Sequence, residues 1–226
     1  MTGIEYTLLS HDPWGLLAQI GAFQRRRRDV RVEGRLCFPE VRVALFTARE
    51  GQRGARRALE RDAAAFGERF ASFVVRGGGE SLPVSLVEAL AGRRLTMASA
   101  ESCSGGAIAD GVTMVPGSSR VFLAGIVSYA NEAKEGLLGV RRRSLEARGA
   151  VSGAVVREML EGVLDRTGAD CAAATSGIAG PTGATALKPV GLVCYGAAWP
   201  GGLAVRKGGS RPCRARRSSG SPRLWR

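Results

Sequence analysis

The sequence predicts an α/β protein: a three-layer α/β/α domain with a mostly parallel sheet, preceded by a small α+β domain. Short apolar runs that suit buried strands alternate with stretches whose apolar residues recur at helical spacing. A triple glycine at residues 77–79 separates a shorter first part from a longer second part. Strands that alternate with helices form mostly parallel sheets covered by helices on both faces. A chain of 226 residues can hold one such domain and a smaller one.

The first part of the chain is predicted to contain a small linking domain. Residues 1–35 keep neither a period of 2 nor one of 3.6, so we expect a remnant or poorly ordered segment there. Residues 41–47 alternate as in a strand, apolar residues between 55 and 70 fall at helical spacing, and residues 73–75 resume a strand. This pattern predicts a small α+β domain over residues 36–80.

The second part, residues 81–207, is predicted to be the larger domain. It begins with a helix that Ser81 can cap and whose first turn accepts Pro83. A strong helix follows Ser152, because its apolar residues form one stripe. The other predicted elements are strands at residues 95–100, 121–129, 171–175 and 191–198 and helices at residues 106–114 and 131–138. Residues 208–226 are rich in Gly, Ser, Pro and Arg, which predicts a disordered basic tail.

Histidine and cysteine usage excludes several kinds of site. His11 is the only histidine, and the five cysteines are widely spaced with no CxxC pair. A Ser-His-Asp triad, a Cys-His pair and a metal site are therefore not expected. No apolar run reaches the roughly 18 to 20 residues that cross a bilayer, and the N-terminus lacks the pattern of a signal peptide. We expect a cytoplasmic protein with no membrane partner.

The net charge of +13 at first suggests a nucleic-acid partner. Eight of the 33 Lys and Arg residues, and no Asp or Glu, lie within residues 206–226, so the rest of the chain carries a net charge of only +5. The basic run at residues 25–28 is typical of a solvated surface. We therefore do not expect the protein to bind nucleic acid.

Reactive side chains follow the predicted strands at the place where α/β sheets bind ligands, beyond the carboxyl ends of the strands. After three successive strands come Glu101, Ser102 and Ser104, then Tyr129 and Lys134, and then residues 176–189. Gly105 and Gly106 at a helix start leave backbone N–H groups for a phosphate or carboxylate, or simply let helix and strand pack closely. The pattern predicts an anion-binding α/β enzyme or binding domain.

Ser102 can act as a nucleophile only if a base takes its proton, because a serine hydroxyl is inert at neutral pH. Lys134 can be that base if burial lowers the pKa of its amine, and Tyr129 can relay the proton. Structural roles stay open at this point: a helix-entry hydroxyl for Ser102, an edge position for Tyr129 and a helix surface for Lys134. Cys103 is interpreted as a buried thiol, since it lacks a histidine partner.

Six motifs occur in an order that resembles a known family. They are AESCSGG at 100–106, GSSRVFLAGIVSYANEAK at 117–134, LGV at 138–140, GAVS at 149–152, SGIAGPTG at 176–183 and KPVGLV at 188–193. Together they closely resemble the C-terminal domain of the CinA family of competence/damage-inducible proteins, over about residues 81–207. The resemblance implies nicotinamide-nucleotide amidase activity: hydrolysis of nicotinamide mononucleotide to nicotinate mononucleotide and ammonia in pyridine nucleotide salvage.

The resemblance also implies roles for individual residues. Ser102 would be the nucleophile, Lys134 the general base and Tyr129 an aid to proton transfer, through an acyl-enzyme that water cleaves without metal or cofactor. A backbone N–H near Cys103 or Ser104 would donate to the oxyanion. The residues expected to bind the substrate are Glu101, Ser104, Gly105, Gly106, Ser118, Ser119, Asn131, Ser176, Gly177, Gly180, Pro181 and Lys188. The expected partner is this small-molecule substrate, and the resemblance favours a homo-oligomer.

Residues 36–82 resemble the linking domain of long CinA proteins, which joins the amidase domain to a domain similar to molybdopterin-binding MoaB proteins. Residues 1–35 are too short for that MoaB-like domain, so we expect its pyrophosphatase activity to be absent. Family members usually end in a helix packed on the sheet, which the basic tail does not resemble. The alternative to an amidase is a catalytically idle nucleotide-binding module with altered ends, and a nucleic-acid binder ranks last.

Overall fold

The computed structural model describes residues 3–10, 12–27, 29–37, 40–47, 54–75 and 80–209. These residues divide into two units. The first unit contains the described residues up to Thr96 together with Gly111–Phe122, and the second contains Met97–Asp110 and the described chain from Leu123 onward.

The first unit contains a three-stranded antiparallel sheet. Its elements in chain order are β1 (Gly3–Leu9), α1 (Pro13–Arg25), β2 (Val30–Cys37), β3 (Glu40–Thr47) and α2 (Ala55–Arg69). Strand β3 lies in the middle and pairs antiparallel with both β1 and β2, and Leu8 forms an isolated antiparallel bridge with Val74. The arrangement is a split β-α-β unit. Apolar residues of both helices, such as Leu16 and Phe66, are buried in one core with the sheet.

The expectation of a poorly ordered segment at residues 1–35 is wrong, because the residues described there form β1, α1 and most of β2. Leu16, Ile20 and Phe23 of α1 are buried in the core of the unit. The small α+β domain therefore begins near residue 3 and not at residue 36.

The start of α1 carries two sequence signals of a helix N-terminus. The Asp12 side chain accepts a hydrogen bond from the Gly15 N–H at 3.0 Å, and Pro13 occupies the first turn. The buried residues Leu16, Ile20 and Phe23 of α1 also recur at helical spacing, so a helical period is present in the sequence of this helix.

Helix α3 (Leu82–Arg93) lies in the first unit, although the sequence assigned it to the second domain. Ser81 occupies the N-cap position and Pro83 the first turn, as predicted, but the Ser81 side chain makes no capping hydrogen bond. The buried Glu40 carboxylate accepts the Leu82 N–H instead, at 2.7 Å. A distant carboxylate thus replaces the expected local cap.

The second unit is built on a five-stranded mixed sheet. Its elements are β4 (Met97–Glu101), the start of α4 (Ala107–Thr113), β5 (Phe122–Val127), α5 (Asn131–Leu138), α6 (Arg142–Arg148), α7 (Gly153–Thr167), β6 (Cys171–Gly177), β7 (Leu192–Trp199) and β8 (Gly202–Gly209). The strand order is β5-β4-β6-β7-β8. Strands β4 and β6 are parallel, whereas β6–β7 and β7–β8 are antiparallel. The predicted α/β class is confirmed, with antiparallel strands at one side of the sheet.

The antiparallel pair β7–β8 extends the fold beyond the predicted last strand. Trp199 pairs with Gly202, so Pro200 and Gly201 form a two-residue hairpin turn, and Gly201 has a φ of +87°. Strand β8 continues to Gly209, so the first two residues of the predicted tail are ordered. The rest of that predicted disordered tail, residues 210–226, lies outside the described residues.

The core of the second unit lies between α7 and the sheet. The predicted apolar stripe of α7 is buried at Val155, Val156, Met159, Leu160 and Val163, and Leu164 packs against the same core. Small side chains of β4, Ala98 and Ala100, belong to this core. Because side chains alternate along a strand, Ser99 and Glu101 point to the other face of the sheet. All five residues of β4 are buried.

Helices α2 and α7 have 15 residues each. No helix in the described part of the chain is long and apolar enough to cross a membrane.

Candidate active site

Ser102 begins the tight turn that leads from β4 into α4. Strand β4 ends at Glu101 and α4 begins at Ala107. Gly105 and Gly106 have φ values of +61° and +102°, in the left-handed region that favours glycine. The turn holds Ser102 close to the protein surface but only 7% exposed.

The Glu101 carboxylate anchors this turn. Its Oε2 atom accepts hydrogen bonds from the backbone N–H groups of Gly106 and Ile108, both at 3.0 Å. Its Oε1 atom accepts the Ala109 N–H at 2.9 Å and the Ser99 hydroxyl at 3.0 Å. Burial alone would raise the pKa of Glu101, but hydrogen bonds from the Ile108 and Ala109 N–H groups and from the Ser104 and Ser99 hydroxyls outweigh burial and hold the pKa below its ordinary value. A buried ionised carboxylate therefore fixes the start of α4.

Lys134 approaches Ser102 from α5. The side chain is 1% exposed, and its Nζ atom lies 3.0 Å from Ser102 Oγ. The same Nζ donates hydrogen bonds to the carbonyl oxygens of Ser128 at 2.7 Å and Tyr129 at 3.1 Å. These are the polar contacts of a lysine that is enclosed by protein.

The environment of Lys134 favours its neutral form. Burial lowers the pKa of the amine below its ordinary value of 10.5, although the neighbouring Cys103 acts in the opposite direction. A neutral amine has two N–H groups, which match the two carbonyl oxygens, and one lone pair, which can accept the proton of the Ser102 hydroxyl. The contact can therefore work as a nucleophile and its base.

Helix α7 holds α5 in place. A Cβ atom at Gly162 of α7 would lie 1.8 Å from the carbonyl oxygen of Leu138, the last residue of α5, so only glycine permits this approach. One turn earlier on α7, the buried Glu158 carboxylate accepts the Arg141 N–H at 2.9 Å, contacts the Arg141 guanidinium and accepts the Ser144 hydroxyl at 2.6 Å. The C-terminal end of α5 and the chain that follows it are thus fixed on α7.

Cys103 is a partly buried thiol beside the nucleophile. Burial raises the pKa of the thiol above its ordinary value, although a hydrogen bond with Thr175 and the charge of Lys134 act against this. A Cβ atom at Gly177 would lie only 2.8 Å from Cys103 Sγ, which explains a glycine at this predicted site position. Because the thiolate is the reactive form, the neutral thiol does not compete with Ser102.

Three residues predicted to bind the substrate already have partners in the protein. The Gly105 N–H donates to the Ser102 carbonyl at 3.1 Å, and the Gly106 N–H donates to Glu101. Glu101 itself is 0% exposed and accepts four hydrogen bonds. The prediction that Glu101 contacts the substrate is therefore corrected, because its carboxylate is fully buried and holds the turn that carries Ser102. Gly105 and Gly106 form part of that turn, and their contact with substrate stays a prediction.

Two serines assigned to the substrate also have partners. Ser176 is buried, and its hydroxyl donates to the Ala150 carbonyl at 2.9 Å, which ties the end of β6 to the loop before α7 and corrects its predicted role. The Ser104 hydroxyl lies 2.6 Å from the Thr175 hydroxyl. Ser104 is only partly buried, so its contact with substrate stays a prediction.

Tyr129 reaches Lys134 through its backbone and not through its ring. Its carbonyl oxygen accepts from Lys134 Nζ, while the side chain is 74% exposed. The contact with Lys134 is made by the carbonyl, and the predicted assistance of the phenol in proton transfer stays a prediction.

The remaining predicted residues lie in loops or at element ends. Gly180 has a φ of +78° and precedes Pro181 in a cis peptide bond. The Lys188 ammonium donates to the Arg148 carbonyl at 2.5 Å, which connects the loop between β6 and β7 to the end of α6. Asn131 is the exposed first residue of α5. Ser118 and Ser119 belong to the first unit, where Ser118 is buried and Ser119 exposed.

Sequence reasoning missed three polar groups around the site. Ser99 orients Glu101, the Ser128 carbonyl binds Lys134, and Thr175 binds Ser104. Ser99 had a usable signal, because it stands two residues before Glu101 and so faces the same side of β4. A backbone carbonyl such as that of Ser128 has no sequence signal, since every residue carries one.

Comparisons with known proteins concern the part of the chain that carries this site. The sequence profile of the family described as CinA C-terminal domain matches residues 79–216. A CinA-like protein of Chlorobium limicola is 50% identical over 139 residues, which are 60% of this chain and 32% of that protein. A CinA-like protein of Desulfosudis oleivorans is 42% identical over 169 residues, 75% of this chain and 41% of that protein. The chain thus spans less than half the length of these curated relatives.

Solved structures agree with the sequence matches. The crystal structure of the competence/damage inducible protein CihA from Agrobacterium tumefaciens has a TM-score of 0.56 and 38% identity, covering 58% of this chain and 80% of that chain. A competence-damaged protein (CinA) superfamily protein from Escherichia coli has a TM-score of 0.55 and 31% identity, covering 56% of this chain and 74% of that chain.

Proposed function

We propose that this chain, which belongs to the CinA C-terminal domain family, is an amidase that hydrolyses nicotinamide mononucleotide to nicotinate mononucleotide and ammonia. The observation that carries the proposal is the 3.0 Å contact between Lys134 Nζ and Ser102 Oγ in a buried setting. A serine attacks an amide only when a base takes its proton, and here the neutral amine of Lys134 is that base. We expect the reaction to occur in the cytoplasm, as part of pyridine nucleotide salvage.

Acylation begins when Lys134 takes the proton of the Ser102 hydroxyl. Ser102 Oγ then attacks the carboxamide carbon, and negative charge develops on the carboxamide oxygen. The backbone N–H groups of Cys103 and Ser104 follow Ser102 directly in the turn, and they are the donors that we propose for that oxygen. Lys134 passes the proton to the leaving nitrogen. Ammonia then departs, and an ester between Ser102 Oγ and the nicotinate group remains.

Deacylation reverses these roles. Lys134 is neutral again after ammonia leaves and can take a proton from a water molecule. That water attacks the ester carbon, and Ser102 leaves with the proton that Lys134 returns. The two carbonyl oxygens of Ser128 and Tyr129 hold the amine in one orientation through both steps. The same residue thus serves twice as base and acid.

The proposal is tested by ammonia release from nicotinamide mononucleotide. We expect the parent protein to release ammonia and the Ser102→Ala and Lys134→Met variants to lose at least about 1,000-fold in kcat/KM, because both groups act in the reacting unit. Methionine keeps an unbranched side chain one atom shorter than lysine and has no amine. Lys207→Ala removes an exposed lysine of β8 and is the matched control, which should retain parental activity.

Two outcomes would contradict the proposal. Parental activity in Ser102→Ala would exclude the assigned nucleophile. A folded parent that binds nicotinamide mononucleotide, measured by calorimetry, but releases no ammonia would support the idle nucleotide-binding module instead.

A further inference from the structure

We infer that Glu101 is a positioning residue whose buried carboxylate holds Ser102 Oγ opposite Lys134 Nζ. The inference rests on the proposed function, which supplies the substrate. Glu101 touches neither Lys134 Nζ nor Ser102 Oγ with its carboxylate. It acts through the turn between β4 and α4.

The first argument is the number of donors around the carboxylate. Three backbone N–H groups and one hydroxyl converge on its two oxygens at 2.9 to 3.0 Å. All four of these groups donate a hydrogen bond. The side chain at residue 101 must therefore accept at both of its terminal atoms, as a carboxylate does. A glutamine would place its NH₂ group against two of these donors, and an aspartate is one methylene too short.

The second argument is the position of the held groups. The three backbone N–H groups belong to Gly106, which ends the turn that Ser102 begins, and to Ile108 and Ala109 in the first turn of α4. Gly105 and Gly106 give that turn a backbone without side chains to stiffen it. The carboxylate therefore supplies the constraint that the glycines lack.

The third argument is that Glu101 also connects to the base. Its backbone carbonyl accepts the Ser128 N–H at 2.7 Å, and the Ser128 carbonyl in turn accepts from Lys134 Nζ at 2.7 Å. The carboxylate and the carbonyl of one residue thus hold the two sides of the Ser102–Lys134 contact. Because a misplacement of about 1 Å can cost a reaction about 100-fold, a loosened Glu101 should slow the chemistry far more than it weakens binding.

The test measures the reactivity of Ser102 without using the natural substrate. Phenylmethylsulfonyl fluoride reacts when Ser102 Oγ attacks its sulfur, the S–F bond breaks, fluoride leaves and Lys134 takes the hydroxyl proton. The rate of labelling at Ser102 is followed by mass spectrometry in the parent, Glu101→Gln and Ser99→Ala. Glu161→Gln changes an exposed glutamate of α7 and is the matched control.

We expect Glu101→Gln to be labelled about 100-fold more slowly than the parent while circular dichroism shows a folded protein. With nicotinamide mononucleotide, kcat should fall by a similar factor and KM should stay within about threefold. Ser99→Ala keeps three of the four donors, so its labelling should slow by only about 3-fold to 10-fold, roughly one hydrogen bond. Glu161→Gln should be labelled at the parental rate.

Parental labelling in a folded Glu101→Gln protein would make Glu101 an ordinary helix cap and overturn the inference. If Glu101→Gln does not fold, Ser99→Ala decides: slower labelling supports positioning, and an unchanged rate overturns it. A parent that is labelled at Ser102 but releases no ammonia from nicotinamide mononucleotide refutes the proposed function alone, and the labelling rates of the variants still decide the role of Glu101. A parent that is not labelled at Ser102 overturns the inference.

Discussion

Ser102 and Lys134 meet at 3.0 Å, but different kinds of structure hold them there. The region around Ser102 is held by hydrogen bonds within residues 99–109, four of which converge on one carboxylate. The region around Lys134 is held by a helix that packs on another, with the Leu138 carbonyl directly over Gly162. The nucleophile is thus oriented by polar groups that are close to it in the sequence. The base is oriented by the close packing of two helices that are far apart in the sequence.

This difference decides which changes each region tolerates. The Ser102 region should be sensitive to the charge and hydrogen-bonding pattern of a side chain and less sensitive to its volume. The α5–α7 contact should be sensitive to added volume, because packed interiors cannot absorb even one methyl group without moving. The following experiments test how each region holds its reactive group.

Gly162→Ala should give the largest effect. The added methyl group would lie 1.8 Å from the Leu138 carbonyl oxygen, so α5 must move and carry Lys134 with it. We expect a loss of about 3 kcal/mol in the free energy of unfolding, measured with urea, at the upper end of overpacking costs. Activity should fall about 100-fold, as expected for a displacement of about 1 Å at the reacting groups.

Gly136→Ala is the matched control for that change. Gly136 lies on α5 itself, but an added methyl group there meets no atom within 4 Å. Alanine should stabilise the helix by up to about 1 kcal/mol and leave the activity unchanged. Equal activities in the two glycine variants would show that the α5–α7 contact does not position the base.

The pH dependence of kcat/KM should give the next largest effect. Burial lowers the pKa of Lys134, and only the neutral amine can act as the base. Below that pKa we expect kcat/KM to rise about tenfold for each pH unit, and to reach a plateau before pH 10.5, the ordinary pKa of lysine. A Cys103→Ala variant should keep this inflection, whereas a flat profile, or one that falls with pH, would contradict a lysine base.

The stability of Lys134→Met should differ from that of the parent in a pH-dependent way. In the parent, the unfolded chain binds a proton at Lys134 more readily than the folded protein does, because the folded pKa is the lower one. Relative to the variant, the parent therefore gains stability as pH rises from the lowered pKa toward 10.5. The slope of this difference should approach about 1.4 kcal/mol per pH unit in urea titrations, and a difference that does not change with pH would disagree with a depressed pKa.

Ser152→Ala should give the smallest effect and sharpens the contrast with Ser99→Ala. The Ser152 hydroxyl accepts the Val155 N–H at 3.3 Å and caps α7 at the end away from Gly162. Its loss should cost about 1 kcal/mol of stability and leave kcat/KM unchanged at 25 °C. Ser99→Ala also removes one hydroxyl, yet it should slow the reaction of Ser102. If Ser152→Ala and Ser99→Ala lost activity to the same extent, the Ser99 hydroxyl would have no special effect on the reaction of Ser102.

Features that depend on local pattern could be predicted from the sequence. The apolar stripe of α7 follows the helical period and is buried as predicted. The resemblance to the family pointed to Ser102 and Lys134, which the structure brings together. In both cases the sequence carries the information within a short stretch or a specific motif.

Features that depend on tertiary contacts could not be predicted in this way. The sequence placed Glu101 against the substrate, because nothing local shows that its carboxylate accepts the Gly106 N–H. Gly162 gave no signal, since its reason is the Leu138 carbonyl of another helix. The elements in residues 1–35 are short, and most of their stability comes from burial in a common core with β3.

The strand order of the second unit has a consequence for protein synthesis. Strand β4, which ends just before Ser102, pairs with β6 at residues 171–177, so about 70 residues must be made between the two. While the ribosome has released the chain only as far as α7, one edge of β4 has no neighbouring strand. The nucleophile emerges early, but this edge of its strand is covered only when β6 emerges and pairs with β4. Translation that stalls between residues 134 and 171 would leave both reactive side chains on a nascent chain with an open sheet edge, the kind of surface that chaperones bind.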